Sequence, residues 1–512
     1  MKEYSQKIVS LTNLLHQKPL IGWQDASLCF GHFNVIHPGH LRYFETARTH
    51  GEQLVIALEG DNVLSIVKRE ECFPEMERAQ AVASLEIVDK VVILNTGGIE
   101  DLVDLIKPQS LVLGREYERD HFNEISEAVT RHGGQVIYEP GEIHYATAEF
   151  FRGTQHEIER QRRDQFRSAL NIWNIDLNQV LLRLKSGPAP RILVVGDTIV
   201  DRYIACDPVG MSNEAPVVVV KELETRDFVG GAAIVAAHVA TLNAECIYLS
   251  VVGKDQQAEM VRSNLSELEV TADLLEDLSR PTTNKLRYMV ENQKLFRVSR
   301  LKEHNLSTDI ENTMIKKIEE LAPSLQGILV CDFVYGVITP RIIEALAAVS
   351  RQHGVPLFGD LQCSSQVGSV LKFQDFQLLC PTEREARIAL SNQNDSVEYV
   401  ANLLMETTCA DNLIIKLGAE GFIAYARKEL SNFFDRQHFP ALTSNPADVA
   451  GAGDALLAAV AVGLARGLTL MESASLGTCM AALAVQTVGN QPVRLEELVN
   501  FALRTGAASN AE

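Results

Sequence analysis

Several things are scarce in this sequence. Aromatic residues make up 6% of 512 positions, and only two are tryptophan. No apolar run approaches the ~20 residues needed to cross a bilayer as a helix, so no membrane partner is expected. The opening residues, Met1-Lys2-Glu3-Tyr4-Ser5-Gln6-Lys7, lack the apolar core of a secretory signal. The nine cysteines are scattered without paired metal-type spacing, which fits reduced thiols and a cytoplasmic setting. Basic residues are outnumbered 47 to 67, a formal charge of −20. That balance argues against nucleic acid as a partner. It leaves phosphate ligands open, because backbone donors and a few cations decide such sites.

What is present is ordinary globular material, 46% hydrophobic and 22% charged, in a chain long enough for two cores. The larger part is organised around Asp448-Val449-Ala450-Gly451-Ala452-Gly453-Asp454, which runs into an apolar segment from Ala455. It reads as a glycine turn that opens a helix. The first N–H groups of a helix are unpaired and the dipole is positive there, so the turn suits an anion. Gly451 and Gly453 let backbone amides approach it. A carboxylate at the mouth of a phosphate cradle is repelled unless it has work, and Asp454 suits proton abstraction from an attacking hydroxyl. The plainer alternative is a glycine cap before a core helix, with Asp as N-cap.

Residues 22–155 alternate apolar runs with helix-length segments. Ser27–Phe30, Gln53–Leu58, Lys90–Leu94, Ser110–Leu113 and Gln135–Tyr138 are expected as buried parallel strands of a doubly wound sheet. The first ends in Gly31-His32-Phe33-Asn34-Val35-Ile36-His37-Pro38-Gly39-His40, and a helix is expected from about Leu41 to His50. Two imidazoles there can stabilise charge that builds on a leaving pyrophosphate; a surface turn is the alternative. Residues 156–189 are charged with interleaved Ile172, Trp173, Ile175, Leu177, Val180, Leu181 and Leu184. They read as a helical linker whose apolar face docks on a domain or a partner subunit.

Residues 190–505 form the second domain. Arg191–Asp197 is expected as a strand, and Phe228-Val229-Gly230-Gly231 opens a small-residue helix through Leu242. Thr282–Tyr288 and Leu295–Arg300 form a hairpin, part of a lid that keeps water out. Phe376–Pro381 and Leu413–Leu417 are core strands, and Gly418–Gly421 is a turn. Asp201 has a turn or N-cap alternative, and Lys285 that of a solvated strand lysine.

Two resemblances follow from these residues. Gly31 to His40, with Val67-Lys68, Glu77-Arg78 and Ser84–Val92, resembles the HxGH nucleotidyltransferase superfamily. That implies a Rossmann-like fold, with His37 and His40 on the triphosphate. Gly31, Phe33, Asn34, Lys68, Arg78, Gly114, Arg115 and Thr147 would border the nucleotide. The segments Val195–Tyr203, Ser212–Val217, Gly230–Ala233, Pro281–Arg287 and Asp448–Asp454 resemble the ribokinase (PfkB) family of carbohydrate kinases. Within it the likeness is to the bifunctional heptose phosphate kinase/nucleotidyltransferases of ADP-heptose synthesis, here with the domain order reversed. The resemblance implies an α/β kinase domain with a β lid and Asp454 as general base. Gly451, Ala452 and Gly453 would act as phosphoryl donors, and Lys416, Gly418 and Gly421 would lie at the nucleotide. Asp197, Asp201, Gly230, Gly231 and Lys285 would hold a sugar phosphate, and Glu385 would act on Mg²⁺ through water. ATP, or CTP in the transferase, would be the nucleotide, and a homodimer is implied. Ile234, Tyr335, Gln362 and Thr382 depart from the family pattern, so two cations expected on the acceptor side are missing.

Overall fold

The structure is a computed structural model. It describes residues 6–16, 23, 25–34, 36, 38–64, 72–114, 123–139, 155–212, 214, 217–290, 293–363, 368–428 and 434–506. The chain divides into two compact units, Met1–Arg152 with Gln393–Val400, and Gly153–Asn392 with Ala401–Glu512.

The first unit is built on six parallel strands: β1 (Ile8–Ser10), β2 (Ala26–Gly31), β3 (Gln53–Glu59), β4 (Lys90–Leu94), β5 (Ser110–Gly114) and β6 (Gln135–Glu139). Their spatial order is β1-β4-β3-β2-β5-β6. Side chains alternate across the sheet. Leu28, Val55, Val92 and Leu111 join a core with the helices Ile99–Ile106 and Asn123–Arg131. Cys29, Ile56, Ile93 and Val112 join another with Pro38–Arg48 and Glu75–Ala83. Both faces are covered, which is why the strands are apolar throughout. The order reverses between β2 and β5, where ligands bind in such sheets. These two strands pair from Ser27–Ser110 to Cys29–Val112, and beyond that point the seam between them carries no ladder.

In the second unit a nine-stranded sheet follows the order β11-β10-β7-β14-β15-β16-β17-β18-β19. The strands are β7 (Arg191–Gly196), β10 (Glu245–Val252), β11 (Thr271–Glu276), β14 (Gly327–Asp332), β15 (Leu357–Leu361), β16 (Leu378–Leu379), β17 (Asn412–Lys416), β18 (Phe422–Arg427) and β19 (Phe434–Phe439). All neighbours are parallel except β17–β18 and β18–β19. A separate four-stranded sheet, in the order β13-β12-β8-β9, contains β8 (Thr198–Met211), β9 (Val218–Gly231), β12 (Thr283–Val290) and β13 (Gln293–Arg300). Every residue of β13 is exposed, so this sheet is the expected lid, carrying the expected hairpin between β12 and β13.

The helices Ala232–Thr241 and Ala452–Ala465 are apolar almost all round and buried, as a helix between other layers must be. The segment read as a linker forms two helices, Gln155–Ile172 and Leu177–Lys185, with Asp176 capping the second through Asn178 N–H at 2.8 Å. Phe166, Leu170, Leu177, Val180, Leu181 and Leu184 lie in the core of this second unit. Among the described residues no helix is long and apolar enough to cross a membrane.

Candidate active sites at the carboxyl ends of two sheets

In the second unit the parallel strands deliver their charges to one end of the sheet. Asp197 follows β7, Asp332 ends β14, Asp360 lies in β15 and Lys416 ends β17. The helix Ala452–Ala465 begins after Gly451, whose φ of +83° is the left-handed geometry glycine tolerates. A Cβ there would lie 2.6 Å from Asn490 Oδ1. Asp454, in the first turn, is buried. Its carboxyl is pushed up to about 7 by burial and by the Asp360 carboxylate, against the opposing pull of Lys416 and the Gln362 amide. Gln362 Nε2 donates to Asp454 Oδ1 at 2.7 Å. The Lys416 ammonium lies 2.8 Å from both oxygens of Asp360.

A second group of residues lies under the lid. Asp201 sits within β8, neither in a turn nor at an N-cap. It pairs with Arg287 at 2.6 Å and accepts from Asn490 Nδ2 at 2.9 Å. Gly230 is tight against it: an added Cβ would meet Asp201 Oδ2 at 2.5 Å. Gly231 N-caps the helix Ala232–Thr241. Lys285 is buried, its ammonium 5.5 Å from the Phe333 ring centroid and 5.3 Å from that of Tyr335, so it is not a solvated lysine. Asp448 accepts from Tyr203 Oη at 2.5 Å and Lys294 Nζ at 2.7 Å, both on lid strands, and from Ala450 N–H at 3.1 Å. The glycine turn and the lid therefore share one carboxylate.

Two expected residues have backbone duties. Asp197 accepts from the N–H groups of Phe333, Tyr335 and Val337 at 2.8, 3.5 and 3.3 Å. It shapes the loop after β14, and burial together with the Asp332 charge pushes it to about 7. Glu385 accepts from Cys363 N–H at 2.9 Å and Thr382 N–H at 2.8 Å, the second in a capping box with Thr382. Gly418 and Gly421 bound the turn between β17 and β18.

In the first unit, Gly31 and Gly114 end the two strands that separate at the seam. The helix starts at Pro38, three residues before the expected Leu41, as a proline at the first helical position favours. His40 is on it, its ring 5.2 Å from that of Phe33 and 6.3 Å from that of Phe44. Phe33 itself is buried in the core, with an unusual φ of +43°. Asn34 Oδ1 accepts from Phe73 N–H at 2.7 Å. Arg78 is buried and donates to Phe73 O, His32 O, Glu59 O and Asp61 Oδ1 at 2.6–2.9 Å. It clamps the β2 loop to the end of β3. His37, Lys68, Arg115 and Thr147 lie outside the described residues.

The model of the pfkB family of carbohydrate kinases matches residues 189–497, more than half of the chain. The chain belongs to the pfkB family. In this pfkB protein, residues 28–176 also match a cytidylyltransferase-like model, so the transferase-like part comes first. It is similar to the "Bifunctional protein HldE" of Trichlorobacter lovleyi, 30% identical over 313 residues, covering 60% of this chain and 62% of that one. The protein of the same name from Campylobacter jejuni subsp. doylei is 31% identical over 324 residues, 63% of this chain and 66% of that one. The pfkB chain thus spans less than two thirds of the length of these relatives. Phosphofructokinase-2 from Escherichia coli, in its tetrameric inhibited form, shares the fold at a TM-score of 0.52 and 15% identity, over 62% of this chain and 100% of that one.

The pfkB site also holds residues that sequence reasoning passed over. Arg287 is two positions from Lys285 on β12, hence on the same face, and that spacing was a usable signal. Asn490 and Asp360 gain their roles from partners at least 56 residues away along the chain, and no local pattern announces them; Asp448 opens the glycine motif, but its tie to Tyr203 and Lys294 joins it to strands more than 150 residues away.

Proposed function

We propose that the chain is a bifunctional enzyme of sugar-nucleotide synthesis. Its second unit phosphorylates a sugar phosphate, heptose 7-phosphate-like, at the anomeric hydroxyl. Its first unit joins a sugar 1-phosphate to a nucleoside triphosphate, giving an ADP-heptose-like product and pyrophosphate. The observation that carries the kinase half is the buried Asp454 carboxyl, held near neutrality in the first turn of a helix whose amides are free to receive a phosphoryl group. As the acceptor oxygen bonds to the γ-phosphorus and the bond to the β-phosphate oxygen breaks, Asp454 takes the hydroxyl proton. The charge on the transferring group is met by the amides of Ala452, Gly453 and Asp454. Asp201, Arg287, Asn490 and Lys285 line the acceptor side, where the two cations suit an anionic sugar.

Mg²⁺ supplies charge neutralisation along the triphosphate when it is bound. Both Glu385 oxygens already serve backbone N–H groups, and no cluster of three or more metal-ligating side chains occurs among the described residues. Glu385 would therefore act on a nucleotide-borne ion only through water, as the resemblance implies. In the first unit, His40, in the first turn of the helix that follows β2, would meet the triphosphate, a role the resemblance also gives to His37.

A homodimer through the lid belongs to the same reading. Val209, Met211, Val218, Leu223 and Phe296 are large apolar residues exposed on the lid strands, where a second copy of the chain would cover them. Val218→Asp with Leu223→Asp should turn a dimer into a monomer in sedimentation.

A second reading keeps one domain as a ligand-binding module. The Gln362 amide on the Asp454 carboxylate favours it for the kinase. Phosphorus NMR with ATP, CTP, Mg²⁺ and a panel of sugar phosphates tests both readings. Asp454→Asn should abolish anomeric phosphorylation and spare pyrophosphate release, and His40→Ala should do the reverse. A chain that binds nucleotide and turns over nothing would sink the bifunctional assignment.

A further inference from the structure

Lys416, expected at the nucleotide, forms a buried pair with Asp360 in the second unit whose chemical part the general base and the acceptor-side residues leave open. The Lys416 side chain is 11% exposed and that of Asp360 2%. Two hydrogen bonds of 2.8 Å fix the ammonium on the two carboxylate oxygens, and one of its three N–H donors remains. Its position is unusual. A Cβ built on Gly453 would lie 3.4 Å from Lys416 Nζ and 3.5 Å from Cδ. The ammonium therefore stands against the second residue of the helix Ala452–Ala465, beside amides that have no partner within the helix.

As a device for stability this arrangement is poor. A cation at a helix N-terminus opposes the dipole. A buried ion pair seldom improves on well-packed apolar groups. Both costs are offset once an anion lies between the ammonium and the amides. Gln362, the neighbour that reaches Asp454, brings no charge of its own. Lys372 is engaged with Asp332.

We propose that Lys416 is a catalytic cation of the kinase reaction, meeting the transferring phosphoryl group alongside the helix amides, and that Asp360 is its positioning residue. The proposal rests on the kinase reading above and deepens it. An oxygen of the γ-phosphoryl group accepts the remaining Lys416 N–H as charge spreads onto it. The ammonium keeps all its protons; the acceptor's proton goes to Asp454 and the electron pair of the broken bond to ADP. Asp360 holds the ammonium in place, so its part in meeting the phosphoryl group runs through Lys416; its charge also raises the Asp454 carboxyl, so the rates are compared at about pH 8.5, where that carboxyl is ionised.

The test uses the full chain and three variants: Lys416→Met, Asp360→Asn, and the double Asp360→Asn/Lys416→Met. The double variant removes both buried charges together, so it folds even if an unpaired Asp360 destabilises the single one; thermal melting checks this. Lys416→Met should lower kcat for sugar phosphorylation by ~10²–10³, the range for loss of one donor to developing charge, with the sugar KM within about threefold. Binding of ADP with aluminium fluoride, which imitates the transferring group, should weaken by a similar factor while binding of ADP alone holds. The double variant should lose no more than Lys416→Met, because one residue acts through the other. Unchanged kcat and unchanged aluminium fluoride affinity in a folded double variant overturn the role of Lys416. Multiplying losses overturn that of Asp360. If the wild-type chain transfers no phosphoryl group while Lys416→Met still weakens aluminium fluoride binding, the kinase reading fails and the phosphoryl contact stands. If neither is seen, both fall.

Discussion

Replacing Asp454 by asparagine should make the kinase unit inactive and more stable together, and the gain should grow with pH. The carboxyl sits at about 7 in the folded chain, against about 3.9 for an aspartate in water. A carboxyl whose folded pKa is raised holds its proton more tightly in the native state, so stability falls as pH climbs from about 4 to about 7. At pH 5 the native group is still protonated and only part of that loss has been incurred. At pH 8 it is charged and the loss is complete. The three-unit difference converts to about 4 kcal/mol in full, of which ~3 kcal/mol accrues between pH 5 and pH 8. Asparagine avoids this cost. Its amide oxygen can keep the 2.7 Å bond from Gln362 Nε2, while its NH2 group, standing where the second carboxylate oxygen was, offsets part of the gain equally at both pH values. Urea unfolding of wild type and variant at the two pH values, followed by a probe in the second unit, measures the difference. Phosphoryl transfer should fall by ~10²–10⁴, as for loss of a general base, and in the wild type should rise with pH through about 7. An asparagine variant that gains equally at pH 5 and pH 8, or loses stability at pH 8, would refute the buried-base argument.

Gly451→Ala forces a side chain into a left-handed turn and against Asn490 Oδ1 at 2.6 Å. It should cost about 1–3 kcal/mol and most of the kinase activity, with nucleotidyl transfer unchanged in the same preparation. Arg78→Met removes a buried guanidinium and its four hydrogen bonds to part-buried acceptors in the first unit and should destabilise it by about 2–3 kcal/mol. Calorimetry should show the lower-melting step move while the kinase retains its rate. Lys294→Met removes one of two lid donors from Asp448. Hydrogen exchange in β13 should speed up, and ATP should be hydrolysed more readily without sugar.

Much of the fold could be read from residue patterns because the signals were local. Five strands of the first unit stood out as apolar runs, and the lid hairpin as two β-rich stretches around a polar turn. The strand Ile8–Ser10 did not, being three half-buried residues. It is fixed by pairing with β4 and by Lys7 Nζ bonding to Leu85 O and Val88 O at 3.1 and 2.7 Å, about eighty positions away. Phe376–Pro381 read as a strand, yet only Leu378–Leu379 enter the ladder, because flanking apolar residues such as Phe376 fill the core instead. The glycine turn and Asp454 were legible from their motif. Asn490, Asp360 and the Asp448 tie were not, since each is defined by a partner on a distant element. Asp197 shows the converse: its motif suggested a substrate contact, and its oxygens hold a loop together.

The carboxylate of Asp448 answers to two masters, the turn that cradles phosphate and the strands that cover it. Swinging the cover away takes Tyr203 and Lys294 with it and leaves the cradle slack. A nucleotide that docks without a sugar would then meet half-built machinery, and water entering behind it would find nothing poised to help it attack. On the proposed kinase function, thrift with ATP would in this way be wired into the shape of a single side chain's surroundings.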